Sequence, residues 1–73
     1  MYKENKSKFV ESLAETLKLT RAGSNIREMH YERFDTGTEF VIINFTDQAT
    51  RTVDVTANSE IAIMQDIIKK ILL

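Results

Sequence analysis

The chain contains no cysteine, two glycines, one histidine and no long apolar run. Without cysteine there is neither a disulfide framework nor a thiolate zinc site. One histidine leaves hydrolytic chemistry without a base–nucleophile pair. Gly23 and Gly37 stand alone, so no glycine-rich loop can cradle a phosphate. No apolar run approaches the ~20 residues that a membrane span needs. Met1 leads into a charged segment rather than an apolar signal region, so a cytoplasmic location is the expectation. Excess charge is missing too. Residues 1–33 hold seven Lys or Arg against five acids and residues 34–73 three against six, for a net charge of −1. Neither half is basic enough to neutralise many phosphates, which argues against unaided nucleic-acid binding.

What remains is ordinary globular material, 42% hydrophobic and 29% charged over 73 residues. That length makes one domain, residues 1–73, with a marginal core, because so short a chain buries only ~60% of its unfolded surface. Small domains of this kind gain from a staple or a partner.

Apolar residues at Phe9, Val10, Leu13, Ala14 and Leu17 have the spacing of one helix face, predicting a helix over Tyr2–Leu19. Gly23 is expected to take the left-handed helix stop. Ile26–Phe34 reads as a polar strand with Arg27, Met29, Tyr31 and Arg33 on one side and Ile26, Glu28, His30, Glu32 and Phe34 on the other. Asp35–Thr38 is a hairpin turn in which Gly37 can adopt positive φ. Glu39–Thr46 is β-branched and aromatic on both faces, the central strand of the chain. Arg51–Thr56 alternates Val53 and Val55 with polar residues, a half-buried strand. Asn58 or Ser59 then caps a helix with Glu60 in its first turn and Lys69 and Lys70 in its last. Its apolar positions, Ile61, Ile63, Met64, Ile67, Ile68, Ile71 and Leu72, cover about half the cylinder. The fold class is α+β, ordered α-β-β-β-α: a three-stranded antiparallel meander with two helices packed on one face.

Closing both turns symmetrically pairs Phe34 with Glu39 and Thr46 with Arg51. On that register Met29, Tyr31, Phe40, Ile42, Val53 and Val55 form the floor beneath the helices. Val41, Ile43 and Phe45 form an uncovered stripe flanked by Glu28, His30, Glu32, Thr52, Asp54 and Thr56. A one-residue slip exchanges the two sets. An apolar stripe rimmed by polar residues is what an association surface looks like, although a few apolar residues on an open face are also normal. A shared face would add buried area to a marginal core.

Glu28, His30 and Glu32 share one strand face, with Asp54 two strands away on the same face, and such a cluster could hold a divalent ion weakly. A solvated strand whose charges discourage edge pairing is the preferred reading, so no metal, cofactor or small-molecule substrate is expected. The carboxylates show no pairing for acid–base work, and no enzyme is expected. Lys3, Lys6 and Lys8, with Lys18 and Arg21 beyond, are the only basic concentration. Glu4, Glu11 and Glu15 interleave with them, as on a solvated helix surface.

In topology the chain is similar to the double-stranded-RNA-binding domain. That family uses a Gly-Pro-x-His-like loop and a lysine-rich start to its last helix. Here the loop is Asp35-Thr36-Gly37-Thr38 and the helix opens Asn58-Ser59-Glu60-Ile61-Ala62, so no RNA-binding residue carries over. The segment from Val53 to Lys70 resembles the C-terminal strand–helix of small uncharacterised proteins of phages and integrative elements in Gram-positive bacteria. That resemblance implies a cytoplasmic accessory protein of no known activity. The functional expectation is therefore a non-enzymatic interaction module acting on a protein partner or on a second copy as a homodimer. A nucleic-acid-binding domain using Lys3, Lys6 and Lys8 is the alternative.

Overall fold

Lys6, Val10, Leu13 and Leu17 recur at helical spacing on one side of the first helix, α1 (Tyr2–Leu17), and all four are buried. The computed structural model describes residues 2–72, with side chains from Asn5 onward. Helix α1 stops two residues short of the sequence expectation. Its last turn tightens into three-residue hydrogen bonds from Leu19 N–H to Thr16 O and Thr20 N–H to Leu17 O, and the Thr20 hydroxyl also donates to Leu17 O at 2.7 Å. Gly23 is needed here for closeness rather than for a left-handed turn. A Cβ built on it would stand 2.3 Å from the Leu17 carbonyl oxygen.

Three antiparallel strands follow, β1 (Ile26–Arg33), β2 (Glu39–Phe45) and β3 (Thr50–Asp54), in spatial order β1-β2-β3. Both connections are three-residue loops of the same build. Phe34 N–H donates to Thr38 O and Gly37 N–H to Phe34 O; Phe45 N–H donates to Ala49 O and Gln48 N–H to Phe45 O. The third loop residue is left-handed each time, Gly37 at φ 93° and Gln48 at φ 72°. These odd-length loops fix the register: Arg33 faces Glu39, Tyr31 faces Val41 and Met29 faces Ile43, while Val41 faces Val53 and Ile42 faces Thr52.

The central strand is therefore turned over relative to the symmetric-turn expectation. Val41, Ile43 and Phe45 are not an exposed stripe; they lie in the core at 0%, 0% and 6% exposure. Phe40 and Ile42 take the uncovered side instead. The outer strands keep their expected orientation, with Met29, Tyr31, Val53 and Val55 buried and Glu28, His30 and Glu32 outside. A bulge between Ile26 and Glu28 shifts the phase of β1 by one residue. It brings Ile26 to the same buried face as Met29 and leaves Arg27 exposed.

Helix α2 (Glu60–Leu72) is capped by Ser59, whose hydroxyl accepts from Ala62 N–H at 3.3 Å. Its buried side chains are Ile63 and Ile67; Met64, Ile68 and Ile71 pack partly against the core, whereas Ile61 and Leu72 are exposed. Helix α1 contacts β1, and α2 contacts β3 and α1, so one apolar cluster fills the space between the helices and one sheet face. No helix among the described residues is long and apolar enough to cross a membrane.

Candidate functional site

The face of the sheet turned away from the helices is a grid set by strand pairing. Glu28, Asn44 and Thr50 form its first row, His30, Ile42 and Thr52 the second, Glu32, Phe40 and Asp54 the third. Phe34 continues beyond the third row, 52% exposed, its ring edge-on to Phe40 at 5.8 Å between centroids and 67° between planes. Phe34, Phe40 and Ile42 thus make a continuous apolar centre at one end. The other end is polar. Thr50 donates to Asn44 at 3.1 Å, Asn44 donates to Glu28 at 3.3 Å, His30 Nε2 lies 3.3 Å from the same carboxylate and Arg27 3.7 Å away.

Asp54 completes the rim on β3. The Thr56 backbone N–H, at 2.9 Å, and then the Thr56 hydroxyl hold its carboxyl below the ordinary value, outweighing a small effect of burial and of the Glu39 charge. Three carboxylates, Glu28, Glu32 and Asp54, therefore frame the apolar centre. Along the edge of β1 a groove of about 320 Å³ adds Glu11 and Glu15 from α1 to Glu28, His30, Met29 and Ala14. Among the described residues, no three carboxylate or histidine groups converge to hold a metal ion.

The residues expected to share one open face divide between the two sides of the sheet. Glu28, His30 and Glu32 flank the open face, but Phe40 and Ile42, not Val41, Ile43 and Phe45, occupy its middle. The basic candidates divide as well. Lys8 is exposed on α1 and Lys3 lies outside the residues whose side chains are described. Lys6 is fully buried, its Nζ 2.8 Å from Glu39 Oε2, and faces no solvent from which a phosphate could approach.

That pair is the centre of a network that sequence reasoning missed. The Tyr31 hydroxyl donates to the same Glu39 oxygen, Ala57 N–H donates to Oε1 at 2.9 Å, and Glu39 N–H donates to the Thr56 hydroxyl at 3.0 Å. Ala57 reaches the carboxylate from a left-handed backbone, φ 62°. Burial by itself would raise the Glu39 pKa. The hydrogen bonds from Lys6, Tyr31 and Ala57, with the Lys6 charge, outweigh it and lower the value from 4.5 to about 2. The network joins α1, β1, β2 and the β3–α2 connection, and its position inside the fold makes it a brace rather than a site. The signal was present: Lys6 precedes Val10 by one helical turn, and Glu39 shares the parity of Val41, Ile43 and Phe45.

Compared with protein-family models, curated proteins and solved structures, the chain matches none.

Proposed function

We propose that this chain is a non-enzymatic protein-interaction module that binds through the uncovered face of its sheet. One observation carries the reading: Phe34, Phe40 and Ile42 form an apolar patch with a polar rim on the side that neither helix reaches. A cytoplasmic accessory role agrees with the resemblance of residues 53–70 to small phage and integrative-element proteins. Nucleic-acid binding is the weaker reading, because Lys6 is engaged by Glu39 and acids rim the open face.

Selection from a random peptide display library tests the proposal, using wild type as bait and Phe40→Ser/Ile42→Ser for counter-selection. Binders retained by wild type and lost on the variant are expected. Binders that hold both baits equally, or none at all, would count against the open face. Duplex RNA or DNA binding that weakens steeply with salt would favour the nucleic-acid reading instead.

A further inference from the structure

Resting on that reading, we infer that the open face takes a single cationic amphipathic helix rather than a second copy of the chain. Size and charge both lead there. Three strands spaced ~4.8 Å apart make a strip ~14 Å wide, and the seven residues of β2 rise ~23 Å along it. That outline of roughly 300 Å² is long and narrow, the shape of one elongated element. A helix ~10–12 Å in diameter fills the width, and ~15 residues at 1.5 Å rise match the length.

The rim sets the sign. Glu28, Glu32 and Asp54 surround the apolar centre, and Arg27, at the bulge, lies 3.7 Å from Glu28. A second copy would lay carboxylates over carboxylates, which disfavours it. Lysines or arginines flanking an apolar stripe instead meet all three acids while the stripe covers Ile42, Phe40 and Phe34. Glu11, along the β1 groove, extends the same sign beyond the sheet edge, while Glu15 there is bridged to Lys18 at 2.8 Å. Such an occupant converts the two layers into three, with helices on both faces of the sheet.

The test uses the full chain and two fifteen-residue amphipathic peptides, one built of Leu and Lys and one of Leu and Glu. Titration calorimetry against wild type is expected to give saturable one-to-one binding of the Leu/Lys peptide and none of the Leu/Glu peptide. Glu28→Gln/Glu32→Gln/Asp54→Asn should weaken that binding at least tenfold and flatten its salt dependence. Phe40→Ser/Ile42→Ser should weaken it at least tenfold with the salt dependence retained. Phe34→Ser, at a half-exposed position, serves as the milder apolar variant, and far-UV circular dichroism checks each fold. Equal binding of both peptides overturns the charge argument and leaves the interaction face standing. Leu/Lys binding unchanged in both apolar variants overturns the proposal as well, since it would show general attraction to an acidic surface. Sedimentation showing a wild-type dimer that Ile42→Ser dissociates overturns the helix in favour of a second copy. Failure of both peptides, with display binders still lost on Phe40→Ser/Ile42→Ser, overturns the helix and keeps the module.

Discussion

Replacing Lys6 with methionine isolates the buried ion pair, because the chain stays similar in length and loses only the ammonium. Lys6 is 0% exposed and the Glu39 side chain 5%, so the carboxylate left behind cannot turn to water. Breaking a buried pair on one side costs ~3–5 kcal/mol. For 73 residues the whole stability, at ~0.05–0.15 kcal/mol per residue, is ~4–11 kcal/mol. The single change should therefore remove about a quarter or more of what holds the fold. Urea denaturation followed by circular dichroism reads the loss directly. With a slope of ~1 kcal/mol per molar for so small a domain, the midpoint should fall by ~3–5 M or vanish. Lys18→Met is the control: its 2.8 Å bridge to Glu15 lies at the surface and should contribute under ~0.5 kcal/mol. Adding Glu39→Leu to Lys6→Met should recover only part of the loss. The Tyr31 hydroxyl and Ala57 N–H also donate to that carboxylate, and each would lose an acceptor at a cost of ~1–3 kcal/mol. A Lys6→Met midpoint indistinguishable from that of Lys18→Met would refute the reasoning, since a solvated pair behaves that way.

Further outcomes follow from the same geometry. Ile43→Asp should unfold the chain, because Ile43 is fully buried, whereas Ile42→Asp should leave it folded; the reverse result in circular dichroism would mean a slipped register. The Glu39 pKa is lower in the fold than in the unfolded chain, so its contribution is complete above pH 4.5 and is lost as pH falls toward 2. Acid titration of Lys6→Met, which lacks the Lys6 hydrogen bond and charge, should show unfolding at higher pH than wild type. Gly23→Ala should destabilise by ~1–3 kcal/mol in chemical denaturation, because the Leu17 carbonyl it meets is backbone and cannot swing aside. Gly37→Ala should cost ~1–2 kcal/mol from its φ of 93° alone, there being open space around it.

Element order was legible because three period-two segments lie between two helical periodicities, and those patterns survive errors of a residue or two. The orientation of β1 and β3 was legible for the same reason: each has one apolar and one polar side. Strand β2 offered less contrast, since Phe40 and Ile42 oppose Val41, Ile43 and Phe45. Its face depends on the turns, and both loops are three residues long rather than symmetric two- or four-residue closures. Asn44 held the better signal, for it shares the parity of Phe40 and Ile42 and marks that side as the wet one. Gly37 at the third loop position pointed the same way. The bulge at Arg27 had no comparable signal beyond the mismatch of Ile26 with Met29. The exposure of Glu28, His30, Glu32 and Asp54 was legible because charge on a half-buried strand goes outward whatever its neighbour does. The brace was missed because Lys6 and Glu39 are 33 residues apart, and only the correct pairing brings them together.

That brace also settles an ambiguity which the apolar pattern leaves open. A strand greasy on both sides can be turned over at modest hydrophobic cost, so Val, Ile and Phe alone discriminate poorly between two arrangements of β2. Glu39 discriminates strongly. Turning the strand over would carry its carboxylate to the outer surface and bring Phe40 toward Lys6, stranding an ammonium inside the protein with its counter-charge in water. The misaligned form is thus penalised by several kcal/mol through a residue that contributes little to the apolar core. In this small domain the buried charges act as a parity check on the central strand, keeping Val41 inside and Ile42 out.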